Sequence, residues 1–141
     1  MSWKFFEAKA GQERAQILID LRFGGQMPTE QLPNLAWFGV WCKEDPKGAF
    51  WSPHEAPKLD AIEADLIKLV EAHGNGWAVY VRRYATPGVR EYYFYFGGDA
   101  DLSKVAVNLT DRHPGYRIEF EVGTDPTWSK YAQWMKAAPL G

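Results

Sequence analysis

The stretch WAVYVRRYATPGVREYYFYFGG, Trp77 to Gly98, decides how the rest of the chain is read. WAVYVRRYA and REYYFYFGG are rich in aromatic and β-branched residues and are joined by TPGV, so they read as the two strands of a hairpin. If Thr86 faces Val89, then Val79 lies opposite Phe96 and Val81 opposite Phe94 on one face. Tyr80, Arg82, Tyr93 and Tyr95 then share the other face. An L-proline fits a two-residue hairpin turn poorly, which favours a longer loop centred on Pro87 and Gly88.

On both sides of this hairpin the periodicity changes from two to that of a helix. Upstream, Leu59, Ile62, Leu66, Leu69 and Val70 form one helical stripe. Ser52 and Glu55 suit a capping box, Pro53 suits the first turn, and Gly74 suits the stop. Before that helix, NLAWFGVWCK (Asn34 to Lys43) is apolar on both faces, as expected of a central strand. Downstream, Asp99 can cap a helix carrying Leu102, Val105, Ala106 and Leu109, which must end before Pro114. YRIEFEV then alternates, with Ile118, Phe120 and Val122 inward and Arg117, Glu119 and Glu121 outward.

The order β-α-β-β-α-β predicts an α+β, ferredoxin-like antiparallel sheet with two helices on one face. SWKFFEAK and AQILIDLRF predict an N-terminal β-hairpin that widens this sheet, with Ile17, Ile19, Leu21 and Phe23 on one side. GTDPTWSKYAQWM predicts a C-terminal helix with Asp125 as cap and Pro126 at its first position. Trp128, Tyr131, Ala132 and Met135 make one apolar face, which reads as a lid closing an edge or end of the core, with Trp134 off the stripe. Residues 1–141 are expected to form one unit: a hairpin over 1–23, a core over 34–122 and a helix over 125–137.

Composition narrows the function classes. Eighteen acidic against sixteen basic side chains give a net charge of −2, which disfavours nucleic acid as a partner. Cys42 is the single cysteine, so no intrachain disulfide or cysteine-based metal site is expected, and a reducing cytoplasm suits the chain. MSWKFFEAKAGQER has no long apolar run, giving no expectation of a signal peptide, and no stretch is long enough to span a bilayer.

No catalytic triad motif, phosphate loop or dinucleotide fingerprint is present, and His54, His73 and His113 are scattered. Catalytic, cofactor and metal residues are therefore not assigned. The DAD at Asp99 to Asp101 reads as a helix start rather than a cation site. Glu119 and Glu121, about 6–7 Å apart along a strand, read as a solvated face. GGQ at Gly24 to Gln26 reads as a turn.

The best candidate surface is Tyr80, Arg82, Tyr93 and Tyr95, because aromatic residues and arginine anchor protein interfaces. A protein partner, a second copy of the chain included, is the first reading. The alternative is a small-ligand or enzyme cleft at the 44–57 loop lined by Trp51, His54 and Glu55. A third reading stacks single-stranded RNA on the tyrosines, although Glu91 stands where an RNA recognition motif carries glycine.

EYYFYFGGDA followed by HPGYRIEFEVGTDPTWSKY resembles the bacterial domain-of-unknown-function family 695. WKFFEAK, ILIDL and PNLAWFGVWCK are similar to the same family. Asp125, Pro126, Trp128 and Tyr131 are the most specific part of the likeness. The resemblance implies no catalytic residues. A weaker likeness to the B-type ribonuclease E inhibitor domain, an acidic regulator that binds protein, implies a regulatory role by analogy of fold.

Overall fold

The computed structural model describes residues 2–139; residues 1, 140 and 141, the ends of the expected 1–141 unit, lie outside them. Among the described residues the chain runs β1 (Trp3–Ala10), β2 (Glu13–Asp20), β3 (Asn34–Trp41), α1 (Ala56–Gly74), β4 (Ala78–Thr86), β5 (Val89–Phe96), α2 (Val105–Arg112), β6 (Ile118–Thr124) and α3 (Ser129–Ala137). The strands form one antiparallel sheet in the spatial order β1-β2-β4-β5-β3-β6. The protein is therefore α+β, and the β1–β2 hairpin widens the sheet beside β4.

Both faces of the sheet are covered. On one, Ala36, Phe38 and Val40 of β3 and Tyr92 and Phe94 of β5 pack against Leu59, Ile62, Leu66 and Val70 of α1 and Val105 and Leu109 of α2. The helical stripes and the two-residue strand period meet here as the sequence pattern requires. On the other face, Ile19, Val81 and Tyr95 pack against Trp128 and Tyr131 of the C-terminal segment. Trp128 is 0% and Tyr131 1% exposed. Each therefore contributes at least the roughly 1.5–3 kcal/mol of a buried large apolar side chain.

The lid reading of this segment holds, but its place differs. It lies across a face rather than closing an edge or end. Leu35, Val79, Val81 and Tyr95 point away from α1 and α2, and a second apolar face needs its own cover.

The capping of α3 is also indirect. Asp125 Oδ1 accepts from the Ser129 amide (3.0 Å) and Oγ (2.8 Å), and Oδ2 accepts from the Lys130 amide at 3.0 Å. Residues 126–128 form a turn before the helix, so Pro126 is not its first residue. Trp128 sits in the left-handed region at φ 55. That conformation costs a non-glycine residue about 1–2 kcal/mol, which the burial of its ring and the bond from Nε1 to Leu32 O at 2.8 Å offset.

Four local expectations change. β2 stops at Asp20, and Leu21–Phe23 form a 3-10 turn capped by the Asp20 carboxylate, which leaves Leu21 at the surface. Thr86 does face Val89, but Pro87 and Gly88 alone make the loop. Gly88 at φ 88 supplies the positive angle that a turn with proline in front of it needs, and bonds to Cys42 and Phe50 hold it. α1 continues through Gly74, and Asn75 at φ 49 stops it. Asp101, not Asp99, shapes the start of α2, accepting from the Ser103 amide and hydroxyl.

The last change reaches the candidate site. A β-bulge between Tyr80 and Arg82 shifts the β4–β5 register by one residue. Below the bulge Arg82 faces Tyr93 as expected; above it Tyr80 faces Phe94 and Val79 faces Tyr95. Tyr80 is thereby moved to the opposite face from Arg82, Tyr93 and Tyr95.

Candidate functional site

The four residues expected to share one surface are therefore separated. Tyr80 faces α1, stacked on Phe94 with ring centroids 4.9 Å apart, and burial pushes its phenol well above the ordinary range. Tyr95 lies beneath the lid, stacked on Trp128 at 3.9 Å, and its hydroxyl donates to Asp125 Oδ2 at 2.6 Å. Burial and the Asp125 charge both raise its pKa.

Arg82 is 8% exposed and its guanidinium lies over the rings of Tyr84, Tyr93 and Trp134, at 4.7, 5.4 and 4.5 Å. Desolvation lowers its pKa, yet the rings give the cation a favourable seat. Tyr93 lines an open groove on the lid side, whereas Tyr80 borders a separate opening on the α1 side with Trp3, Asp20 and Arg22. Burial, with Glu91 nearby, pushes its phenol up to about 12.

The alternative cleft is also distributed differently from the expectation. Glu55 is 0% exposed: it accepts from the Lys43 amide (2.8 Å), the Glu44 amide (3.0 Å) and the Tyr116 hydroxyl (2.7 Å). Half of the expected capping box forms, because Ser52 Oγ accepts from the Glu55 amide at 3.1 Å, but the Glu55 side chain closes the 43–44 loop instead. Trp51 turns inward and stacks on the guanidinium of Arg90 at 3.8 Å, which is 1% exposed and paired with Asp60 and Glu63.

His54 stays at the surface, where its Nδ1 lies 2.8 Å from Glu44 Oε2 while Ser52 Oγ donates to Oε1 at 2.7 Å. Those two bonds, that from His54 first, hold the Glu44 carboxyl below its ordinary value, which makes it a poor base for Ser52. Trp51, His54 and Glu55 thus line three different environments rather than one cleft.

An opening that combines aromatic and charged groups lies past α3 on the same sheet face as Tyr93. It is a groove of about 490 Å³ walled by Trp37, Tyr93 and Trp134 and by Glu91, Glu121 and Lys130. Its rows follow from strand register: Arg82, Tyr93, Trp37 and Glu121 lie side by side across β4, β5, β3 and β6. The Trp37 indole donates to Glu91 Oε1 at 2.8 Å, which fixes the ring against the sheet. Trp134 packs at a tilt against Tyr93, with ring centroids 4.7 Å apart, and so joins the lid to the groove.

Gly39 keeps the neighbouring surface low. A Cβ there would come 2.7 Å from the Trp37 ring and 3.0 Å from that of Trp41. Next to it Arg117 stacks on Trp41 at 3.9 Å and pairs with Glu119. A surface of indole and phenol rings with carboxylates between them suits cationic groups.

Sequence reasoning missed Trp37, Glu91 and Trp134 as a group, although the alternation Trp37, Gly39, Trp41 marks a strand face with two large rings around a gap. Among the described residues no group of three or more histidine, cysteine or acidic side chains could hold a metal ion. Among them, too, no helix is long and apolar enough to cross a membrane.

The motif of Asp125, Trp128 and Tyr131 now has a physical account, because it bonds the lid to Tyr95, Leu32 O and Asp20 O. The family described as "Family of unknown function (DUF695)" matches residues 1–135. The chain belongs to the DUF695 family. No curated protein and no solved structure matches it. Within this DUF695 chain the matched span runs from the N-terminal hairpin through most of α3 and takes in every residue of the groove.

Proposed function

We propose that the protein is a non-enzymatic interaction or regulatory module of the bacterial cytoplasm, docking a protein partner in the groove beside α3. The observation that carries this reading is the half-buried trio Trp37, Tyr93 and Trp134, set among carboxylates beside the lid. Large rings on a rigid sheet are favoured interface anchors. The buried carboxylates elsewhere, Asp20, Glu55 and Asp125, are committed to bonds that hold the fold. Glu91 and Glu121 would repel phosphates, so a protein suits the groove better than RNA.

The four strands β4-β5-β3-β6, with α1 and α2 together on one face, support reading this part as a ferredoxin-like unit. A regulatory role is carried over by analogy of fold alone. A single half-buried cysteine suits a reducing compartment.

In-cell cross-linking tests the reading. A photo-reactive residue placed at Glu121 should give a discrete adduct that is absent when the same residue replaces exposed Lys68 on α1, and that is lost in Trp37→Ala. Equal labelling from both positions, or an adduct indifferent to Trp37→Ala in folded protein, removes the groove as the docking surface.

A further inference from the structure

The two edges of the sheet are built differently. β1, at one end, carries Lys4 and Lys9, the kind of charged residue that discourages strand pairing. β6, at the other, pairs with β3 in unbroken register along Ile118–Thr124 and contains no proline, lysine or bulge. Its ladder with β3 runs through the odd-numbered residues: Trp41 donates its amide to Arg117 O, and Asp125 donates to Pro33 O at 2.8 Å. The amides and carbonyls of Ile118, Phe120, Val122 and Thr124 therefore point outward from the sheet. Val122 is 50% exposed beside them.

The side chains on either face of this edge specify what could lie along it. Toward the groove stand Glu119 and Glu121, two residues apart on one face, with Glu91 behind them. Toward α2 stand Ile118, Phe120 and Val122. A strand added here would place alternate side chains beside carboxylates and the intervening ones beside apolar groups. A second copy of the chain fits badly. Antiparallel pairing of two β6 strands centred on residue 119, 120 or 121 sets glutamate against glutamate, and like charges directly opposite are destabilising.

We propose that β6 accepts an extended basic segment of a partner protein by strand addition, with lysine or arginine alternating with apolar residues. The proposal rests on the groove as the docking face and names both the mode of attachment and the chemistry of the partner. Backbone hydrogen bonds to Phe120 and Val122 supply the attachment, and Glu121, with Glu119 shared between Arg117 and the incoming strand, selects the basic side chains.

A short peptide alternating lysine with valine is the probe, with an alternating glutamate–valine peptide and an N-methylated lysine–valine peptide as controls. Titration of the full chain should show salt-sensitive binding of the first alone, with slowed hydrogen exchange at the even-numbered β6 amides. Val122→Pro removes one outward amide without touching the β3 ladder and should weaken binding by about tenfold, the equivalent of one to two hydrogen bonds. Glu121→Lys should weaken it as well, and provides the test if Val122→Pro lowers the melting temperature.

No binding of the basic peptide, or equal binding of its N-methylated form, overturns the proposal. Self-association abolished by Val122→Pro overturns it in favour of a second copy. If Trp37→Ala removes the in-cell adduct while Val122→Pro leaves it intact, the groove stands and strand addition fails. Loss of the adduct in Val122→Pro with none in Trp37→Ala supports the edge and discards the groove.

Discussion

Tyr95→Phe removes one oxygen from the centre of the lid and leaves its ring stacked on Trp128, so it measures the Tyr95–Asp125 bond without opening a cavity. The hydroxyl donates to a carboxylate at 2.6 Å and accepts weakly from the Tyr131 amide at 3.3 Å. A buried bond to a charged group is worth about 1.5–3 kcal/mol, so unfolding in urea at neutral pH should register a loss of roughly 2 kcal/mol.

The loss should depend on pH. Burial opposes the charge on Asp125, but bonds from Tyr95, the Lys130 amide and Ser129 outweigh it and hold the carboxyl below its ordinary value. A depressed folded-state pKa stabilises the protein fully above the unfolded value of about 3.9, and that stabilisation disappears as pH falls through the lower folded value. Without the Tyr95 hydroxyl the folded value rises toward the unfolded one, so the acid limb begins at the same pH in both proteins but is smaller and ends sooner in the variant. The difference between wild type and variant is then greatest near neutrality and shrinks in acid. A cost below about 0.5 kcal/mol, within the range of an unimportant surface change, or one that stays constant through the acid limb, would refute the assignment of Asp125 as the lid's charged anchor.

Substitutions at three further sites have outcomes set by the geometry. Glu55→Ala leaves two loop amides and the Tyr116 hydroxyl without their acceptor and should cost about 3 kcal/mol in chemical denaturation, with Glu55→Gln less severe. In the same variant the Tyr116 phenol, now raised by burial and by Glu55, should titrate at lower pH in ultraviolet difference spectra. Gly39→Ala forces the Trp37 ring away from its 2.7 Å approach and should cost about 1–3 kcal/mol, with a change in tryptophan emission as the bond to Glu91 breaks. Trp51→Ala uncovers Arg90 and should cost roughly 2–3 kcal/mol by thermal unfolding, less than the full value for a wholly buried tryptophan because Trp51 is half-buried.

What could be read from the chain alone was whatever depends on near neighbours. The stripe Leu59–Val70 must bury one side of a helix, YRIEFEV must be a strand, and Asp125 with Trp128 and Tyr131 must close over apolar surface. Each of these rests on spacing within a few residues. The β1–β2 hairpin was legible for the same reason, whereas its pairing with β4 joins segments far apart in the chain.

The contents of the tyrosine face were not legible, because a single extra residue at the Tyr80–Arg82 bulge reassigns everything beyond it to the other side. Nor could the pattern say that α3 would cross a face, since an amphipathic helix declares that it needs cover but not where the uncovered surface lies. The groove is the extreme case. Trp37, Glu91, Glu121 and Trp134 come from β3, β5, β6 and α3, and nothing in their local sequence couples them. Their meeting is set by the strand order and by a helix laid across one face of the sheet, both of which arise from contacts between segments far apart in the chain.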